Sequence, residues 1–381
     1  MIRCLAGLIG VVLIFIVLVD AFESILQPRR VTRRYRLARL YYFSLWTCWR
    51  FIACSMGAGK RQVAFLSVFG PLSLLGMFAT WVAVLIFGFG TVFWSIGGAI
   101  HAADMQPGFS TCLYLSGTTF FTLGYGDVTP RSAAGRVLAV SESGLGLGFF
   151  AAMLSYLPAL FQAFSRRELS IALLDARAGS PPTAGQLLLR LARANNMAAL
   201  DGFLAEWERW CADLLESQLS FPILGYYRSQ HDNQSWLAAL TTIMDTCAFL
   251  LVQVKGINSY QPQVTFAIAR HAAVDLGLVL RTTVGQASAD RLSTAQLADL
   301  RAQLANAGVA LAEPVEAEQK LRELRGMYEP FVAALAERMI LALPPFMVDT
   351  ESPDNWQRSA WMRPAPGIGK LPRAGGNADH F

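Results

Sequence analysis

The sequence predicts an all-α membrane protein whose apolar first part is followed by an all-α cytosolic domain. Of its 381 residues, 54% are hydrophobic and only 15% are charged, a balance too apolar for an ordinary soluble protein. The apolar residues crowd the first 165 positions, and the charges spread through the rest of the chain. In that second part apolar residues recur at helical spacing, and the alternation typical of strands is scarce.

The composition also limits the kinds of functional site that the chain is expected to contain. The net charge is +5, and much of the basicity lies between positions 29 and 39, which is typical of a membrane-surface segment rather than a nucleic-acid interface. The six cysteines form no Cys-x-x-Cys pair and the four histidines are scattered, so neither a disulfide framework nor a metal cluster is predicted. The sequence contains no nucleic-acid-binding motif.

The first predicted element is a transmembrane helix within residues 1–27. The apolar run from Ile2 to Leu26 is long enough to cross a hydrocarbon core of about 30 Å. A cleaved signal peptide is the alternative. A cluster of arginines follows, and because such a cluster stays in the cytoplasm, we favour a retained helix with its N-terminus outside. Asp20 and Glu23 then lie within reach of these arginines, which are Arg29, Arg30, Arg33, Arg34, Arg36 and Arg39.

Residues 28–61 are predicted to form a basic cytoplasmic or interfacial segment. Four of its arginines stand at every third position, the spacing of a voltage-sensor helix. A sensor helix is surrounded by helices that supply counter-charges, and only one helix precedes this segment. We therefore expect an interfacial segment held by anionic lipid near Arg29–Arg39, with a helix over 38–56, and leave voltage sensing open. The four arginines are Arg30, Arg33, Arg36 and Arg39.

The next predicted domain, residues 62–165, contains two crossing helices with a shorter one between them. Pro71 interrupts the apolar stretch from Val63 to Ile96, so the first crossing helix is predicted to begin there. Arg166 and Arg167 close the second on the cytoplasmic side. The predicted outer helix covers 71–97, the short helix 109–121 and the inner helix 136–164.

A glycine-containing loop, Thr122-Leu123-Gly124-Tyr125-Gly126-Asp127, follows the short helix. Irregular backbone at membrane depth is tolerated only where protein covers it or water lies beside it. Glycines permit the backbone angles that point successive carbonyls toward one side, where they can replace the hydration shell of a potassium ion. One chain supplies one wall of such a cage, so four copies are expected.

With this loop, residues 109–165 resemble the pore module of the potassium channel family, of the bacterial two-transmembrane type. The resemblance implies a selectivity filter in which Thr122, Leu123, Gly124 and Tyr125 bind K⁺, together with Gly126. It also implies an aromatic cuff around Tyr125 and a hydrogen bond from Tyr114 to Asp127. Leu123 departs mildly from the usual valine or isoleucine.

Two further residues, Thr118 and Glu142, are candidates for supporting the filter from behind. Thr118 stands where some bacterial channels carry a buried glutamate that pairs with the filter aspartate. Glu142 on the inner helix is a candidate replacement for that glutamate. The alternative is that Ser141, Ser143 or water satisfies the Glu142 carboxyl group. An ionisable residue at this depth is a functional candidate in either case.

The inner helix carries Gly144-x-Gly146-x-Gly148. Gly146 matches the hinge position of the family, and close helix packing is a competing explanation for all three glycines. Pro158 removes a helix hydrogen bond and could bend the helix near a gate. The residues expected to form the cavity and gate are Gly146, Leu147, Phe150, Leu154 and Pro158.

Residues 166–345 are predicted to form a helical cytosolic domain, followed by a disordered tail over 346–381. The stretch from Trp236 to Val254 is apolar, but Asp245 makes a buried core helix more plausible than a crossing one. The polar segment from Tyr226 to Gln234 is either a ligand site or a connecting loop. The helical stretches are 185–195, 197–218, 235–255, 263–283, 290–307 and 315–343.

From the resemblance we expect a homotetrameric, potassium-selective channel in the cell membrane. We expect K⁺ as the permeant ion, no cofactor, and gating or assembly through the cytosolic domain, whose ligand or regulator is unknown. A catalytic module is the first alternative, but no nucleophile elbow, complete phosphate loop or metal cluster supports an enzyme. A non-conducting or weakly selective channel-like sensor is the second.

Overall fold

The computed structural model describes residues 1–26, 36–102, 108–229, 234–283, 285 and 290–348. The chain divides into two compact units. Unit 1 comprises Met1–Arg166 and Glu216–Arg228, and unit 2 comprises Arg167–Leu215 and Ser229–Phe381. Helices dominate both units, which confirms the predicted all-α membrane class.

In the described residues, the first 166 positions of unit 1 contain long helices, one short helix and a small antiparallel sheet. Strand β1 pairs with β2, and His101 lies opposite Thr129. A π-helical turn, Phe22–Leu26, follows the first helix. The elements are α1 (Ile2–Ala21), α2 (Leu37–Ser55), α3 (Lys60–Ile96), β1 (Ile100–Ala102), α4 (Phe109–Phe120), β2 (Val128–Pro130) and α5 (Ala133–Ala178), the last of which continues into unit 2.

Glycine contacts bring α1 and α3 close together. A Cβ atom added to Gly10 would lie 2.6 Å from the carbonyl oxygen of Gly88, so only glycine fits there. The opposite side of α1 exposes large apolar residues such as Leu5, Leu8 and Phe15, which suits a helix that faces lipid. By length and composition, Ile2–Ile25, Lys60–Ile96 and Ala133–Ala178 can each cross a membrane.

Asp20 joins the end of α1 to α2 and α3. Its buried carboxylate accepts hydrogen bonds from the backbone nitrogen of Ala38, at 3.0 Å, and from Nε1 of Trp81, at 2.9 Å. Arg36 Nε lies 3.8 Å from Asp20 Oδ1 and 3.4 Å from Glu23 Oε2. The predicted proximity of these acids to the arginines therefore holds for Arg36.

Most of the basic cluster lies outside the described residues, namely Arg29, Arg30, Arg33 and Arg34. Anionic lipid binding there consequently stays a prediction, and voltage sensing stays open. The predicted interfacial helix is present as α2, shifted by one residue at each end. It packs against α3 through stacked rings of Trp49 and Phe65, with centroids 4.3 Å apart.

Two predicted helix boundaries are wrong. Pro71 does not begin the outer helix, because α3 runs without a break from Lys60. A proline removes one hydrogen bond and can be accommodated within a long, packed membrane helix. The inner helix does not end at Arg166 and Arg167 but continues to Ala178, and Arg167 is paired with Glu168 at 2.9 Å. The arginines end the apolar stretch but not the helix, because arginine is a good helix former.

The described part of unit 2 is mainly helical. Its central helix, α8 (Trp236–Gln253), is buried along almost its whole length, as expected of a core helix. The predicted stretch 315–343 is two helices rather than one, because the chain turns at Met327 and Tyr328. The helices after α5 are α6 (Ala184–Arg193), α7 (Leu200–Ser220), α8 (Trp236–Gln253), α9 (Tyr260–Val279), α10 (Thr294–Asn306), α11 (Pro314–Gly326) and α12 (Glu329–Met339).

A buried ion pair explains how α8 tolerates an aspartate. Arg291 donates to both carboxylate oxygens of Asp245, each at 2.8 Å, and the Tyr328 hydroxyl also donates to this carboxylate. Burial raises the pKa of Tyr328 well above its usual value, so it stays a neutral donor. Asp245 therefore anchors α8 to the chain around Arg291 and to the start of α12.

The predicted domain boundary at residue 166 needs one correction. Residues 216–228 lie in unit 1, although they follow the predicted start of the cytosolic domain. They include the end of α7 and a 3₁₀ helix, Pro222–Tyr226. The segment from Tyr226 to Gln234, predicted to be either a ligand site or a connecting loop, begins there, but residues 230–233 lie outside the described residues. The predicted disordered tail over 346–381 is wrong at its start, because Phe346 is buried and its carbonyl oxygen accepts a hydrogen bond from the backbone nitrogen of Gly185. Residues 349–381 lie outside the described residues.

Candidate functional site

The loop between α4 and β2 has an alternating backbone conformation. Thr122, Gly124 and Gly126 have φ angles of 55°, 60° and 85°. Leu123 and Tyr125, which lie between them, are not among the positive-φ residues. Glycine adopts positive φ freely, whereas Thr122 carries the strain of a branched side chain in the left-handed region. Such strain clusters at functional positions.

This alternation has a direct consequence for the carbonyl groups. In an ordinary strand, successive residues face opposite sides. Reversing the sign of φ at every second residue turns the intervening peptide groups over, so successive carbonyls turn toward the same side. A segment with this geometry offers a row of oxygens, which are the ligands that a dehydrated alkali cation requires.

Hydrogen bonds to carbonyl groups of α4 hold the start of the loop in place. The backbone nitrogen of Leu123 donates to the carbonyl oxygen of Thr118 at 2.8 Å, and that of Thr122 donates to Thr119 at 3.0 Å. The Thr118 hydroxyl is buried and donates to the Leu115 carbonyl at 3.0 Å. Thr118 thus supports the loop through its main-chain carbonyl group, whereas its side-chain hydroxyl donates to a carbonyl group within α4.

The far end of the loop is tied to α4 by Asp127. The Tyr114 hydroxyl donates a hydrogen bond of 2.9 Å to Asp127 Oδ2, the contact that the resemblance implies. Asp127 Oδ1 accepts from the backbone nitrogen of Val128 at 3.0 Å. The carboxylate therefore links the pore helix α4 to the first residue of β2.

Glu142 lies behind α4 and is fully buried. Its partner is the hydroxyl of Ser116, which also donates to the Ile86 carbonyl at 2.8 Å. A hydroxyl has one proton, so it cannot donate to both acceptors at once. A protonated Glu142 that donates from Oε1 to Ser116 leaves the Ser116 proton for the Ile86 carbonyl, while Glu142 Oε2 has no hydrogen-bond partner among the described residues.

The expected pairing of Glu142 with Asp127 is not what the structure has. Asp127 is engaged by Tyr114 and Val128, and Glu142 faces the middle of α4 instead. The alternative, in which Ser141, Ser143 or water satisfies the carboxyl group, names the wrong serines, because the hydroxyl that contacts Glu142 belongs to Ser116 on α4. Ser116 was missed because a serine inside a short apolar helix gives no sign of its direction.

The three glycines of α5 differ in their surroundings. A Cβ atom on Gly146 would collide with the carbonyl oxygen of Phe120 at the end of α4, so this glycine permits close packing of the inner helix on the pore helix. Gly144 and Gly148 have open space where a Cβ atom would lie. Whether Gly146 also acts as a hinge stays a prediction.

The other residues expected to form the cavity are exposed in the single chain. Leu147 is 60% and Leu154 72% exposed, and Phe150 and Pro158 are exposed as well. The loop is equally uncovered, with Leu123 52% and Tyr125 68% exposed. Apolar exposure on this scale is typical of a surface that a partner or lipid covers.

Comparison with known proteins bears on this part of the chain. Residues 64–163, which begin within α3 and end within α5, match the family model described as an ion channel. The chain is an all-α membrane protein, and residues 64–163 are similar to an ion channel domain. The matched residues include the whole loop, its supporting helix and Glu142. They end before unit 2 begins.

The chain is also similar to an uncharacterized membrane protein, YdjJ, of Bacillus subtilis (strain 168). The two are 24% identical over 227 residues, which cover 57% of this chain and 62% of that protein. The chain thus spans less than two thirds of this relative. No solved structure matches.

Proposed function

We propose that the protein is one subunit of a homotetrameric, potassium-selective channel in the cell membrane. The observation that carries the proposal is the alternation of φ at Thr122, Gly124 and Gly126, within a domain of the ion channel family. The four carbonyls from Thr122 to Tyr125 would coordinate dehydrated K⁺, and Gly126 would complete the filter. Four copies would close the ring of oxygens.

The surrounding residues support this proposal. Tyr114 and Asp127 brace the outer end of the loop, and the main chain of Thr118 braces the inner end. The exposed face of α5, with Leu147, Phe150 and Leu154, would line the water-filled cavity. The helix α4 ends beside the loop, and its negative dipole end would favour a cation in that cavity.

The proposed orientation places both ends of the ion channel domain in the cytoplasm. The arginines after α1, and Arg166 and Arg167 within α5, favour the cytoplasmic side. Unit 2 would then be cytoplasmic, and anionic lipid would contact the basic segment near Arg29–Arg39. Gly146 and Pro158 are the proposed points at which the inner helix bends.

Flux from liposomes tests the proposal. The purified protein should release K⁺ and retain Na⁺ under equal gradients. Gly126→Ala should abolish the difference between the ions, because alanine resists a φ of 85°. Gly202→Ala, in a helix with open space around the glycine, is the matched control and should leave flux unchanged. Equal release of both ions by the wild type would contradict potassium selectivity and favour a weakly selective channel.

A further inference from the structure

A short stretch of the second half of the chain is built into unit 1. The chain leaves unit 2 after Leu215, passes through Glu216–Arg228 in unit 1, and returns to unit 2 at Ser229. We call residues 216–228 the docked segment. Because both of its ends continue into unit 2, movement within unit 2 acts on the segment through the chain itself.

On one side the docked segment packs against α2 and α3. The ring of Tyr226 lies 5.0 Å from that of Trp46 and 5.1 Å from that of Phe69, measured between centroids. Tyr227 lies against Gly70, where an added Cβ atom would come within 2.7 Å of the tyrosine ring. Glycine at position 70 is thus what allows the ring to approach the helix.

On the other side the same segment packs against α5. The ring of Phe221 lies 5.2 Å from that of Tyr156, and the ring of Tyr227 lies 5.6 Å from that of Phe164. Tyr156 precedes Pro158 and Phe164 follows it. A proline inside a helix removes a hydrogen bond and marks a point of easy bending. The segment therefore holds α5 on both sides of its bending point.

The docked arrangement is stabilised by burial and opposed by one polar group. Leu224 is 1% exposed and Ile223 is 4% exposed, so the segment contributes to the core of unit 1. Burial raises the pKa of Tyr227 to about 12, so this ring brings no charge into the aromatic contacts. In contrast, Gln218 is 1% exposed, and its amide has no hydrogen-bond partner among the described residues.

The unpaired amide of Gln218 favours release of the segment. Burying an amide without a hydrogen bond costs free energy that the amide recovers in water. The aromatic contacts and the buried aliphatic side chains act in the opposite direction. A segment under such opposing contributions is suited to exchange between a docked and a released state.

We propose that the docked segment couples unit 2 to the inner helix, so that its release from α2, α3 and α5 changes conduction. This inference rests on the proposed channel function and adds the route by which the second unit regulates it. The filter is not part of the route, so selectivity between K⁺ and Na⁺ should not depend on docking.

Variants that loosen and tighten the segment provide the test. Tyr227→Ala removes ring contacts, and Gly70→Ala pushes the ring away from α3. Gln218→Leu removes the unpaired amide and should tighten docking. Gly202→Ala is the control, because a Cβ atom there meets open space. Hydrogen exchange of residues 221–227 in the full-length protein reports docking, and K⁺ flux from liposomes reports conduction.

The loosening variants should raise hydrogen exchange in the segment and change K⁺ flux at least about fivefold, the lower range of coupling between distant sites. Gln218→Leu should lower exchange and change flux in the opposite direction. The K⁺ preference over Na⁺ should stay the same in every variant. The control should alter neither exchange nor flux.

Release of the segment without any change in flux would overturn the coupling while leaving the channel function intact. If Tyr227→Ala and Gly70→Ala leave hydrogen exchange unchanged, Leu224→Asp is used to release the segment, because it places a charge at a buried position of the segment. Unchanged flux in that released variant would likewise overturn the coupling. A wild type that shows no K⁺ flux at all would contradict the proposed function and, with it, this inference.

Discussion

The hydroxyl of Tyr114 donates a hydrogen bond of 2.9 Å to the carboxylate of Asp127, and this bond ties the pore helix to the outer end of the loop. Since the loop holds strained backbone at Thr122, external ties are needed to keep its conformation. The bond is therefore expected to matter more for sustained conduction than for folding.

Tyr114→Phe removes this bond and keeps the ring. We expect a several-fold loss of sustained K⁺ current, with little change in the thermal stability of the protein in detergent. Planar-bilayer recording and thermal unfolding measure the two quantities. Tyr260→Phe, at an exposed position in unit 2, is the matched control. Sustained current equal to that of the wild type in Tyr114→Phe would show that the bond is dispensable.

Gly146→Ala tests the close contact between the inner and pore helices. The added Cβ atom would collide with the Phe120 carbonyl, and overpacking of this kind costs about 1–3 kcal/mol. Gly148→Ala meets open space and should raise stability by about 0.5–1 kcal/mol, because alanine loses less backbone entropy in a helix. Chemical unfolding in detergent compares the two. Equal effects of both changes would rule out the contact as the reason for Gly146.

Glu142→Gln tests whether this buried group acts as a neutral hydrogen-bond donor. An amide can donate to Ser116 while Ser116 donates to the Ile86 carbonyl, so stability should change by no more than about 0.5 kcal/mol. Glu142→Ala leaves a cavity and should cost about 2–5 kcal/mol, by analogy with other large-to-small core changes. A large loss of stability in Glu142→Gln would indicate that the group must be charged.

Asp20→Ala removes the acceptor shared by Ala38 and Trp81. Each donor would be left buried without its partner, at a cost of about 1–3 kcal/mol for each group. Asp20→Asn keeps one acceptor oxygen and should lose less. The free energy of unfolding in detergent is the measurement. Asp20→Ala as stable as the wild type would mean that this carboxylate does not hold α2 in place.

Much of unit 1 could be predicted because its signals are local. A run of apolar residues identifies α1, and the spacing of Gly124 and Gly126 identifies the loop without any tertiary information. The contact between Tyr114 and Asp127 came from the resemblance. The course of α3 through Pro71 could not be predicted, since a proline is a breaker in local patterns and packing decides whether a helix tolerates it.

Features that depend on distant contacts were missed for a physical reason. The pairing of Glu142 with Ser116 joins two helices, and neither residue alone indicates the other. The docked segment is the clearest case. Residues around Tyr226 read as a loop of a cytosolic domain, whereas their aromatic partners Trp46 and Phe69 lie far away in the sequence. The spacing of apolar residues within a short stretch of sequence does not identify such distant partners.

The most direct test of the account is the reversal potential of the purified channel in a planar bilayer with K⁺ on one side and Na⁺ on the other. A filter built from the carbonyls of Thr122 to Tyr125 predicts a reversal potential set by the K⁺ gradient, and its loss in Gly126→Ala. A wild-type reversal potential near zero under these conditions would contradict potassium selectivity.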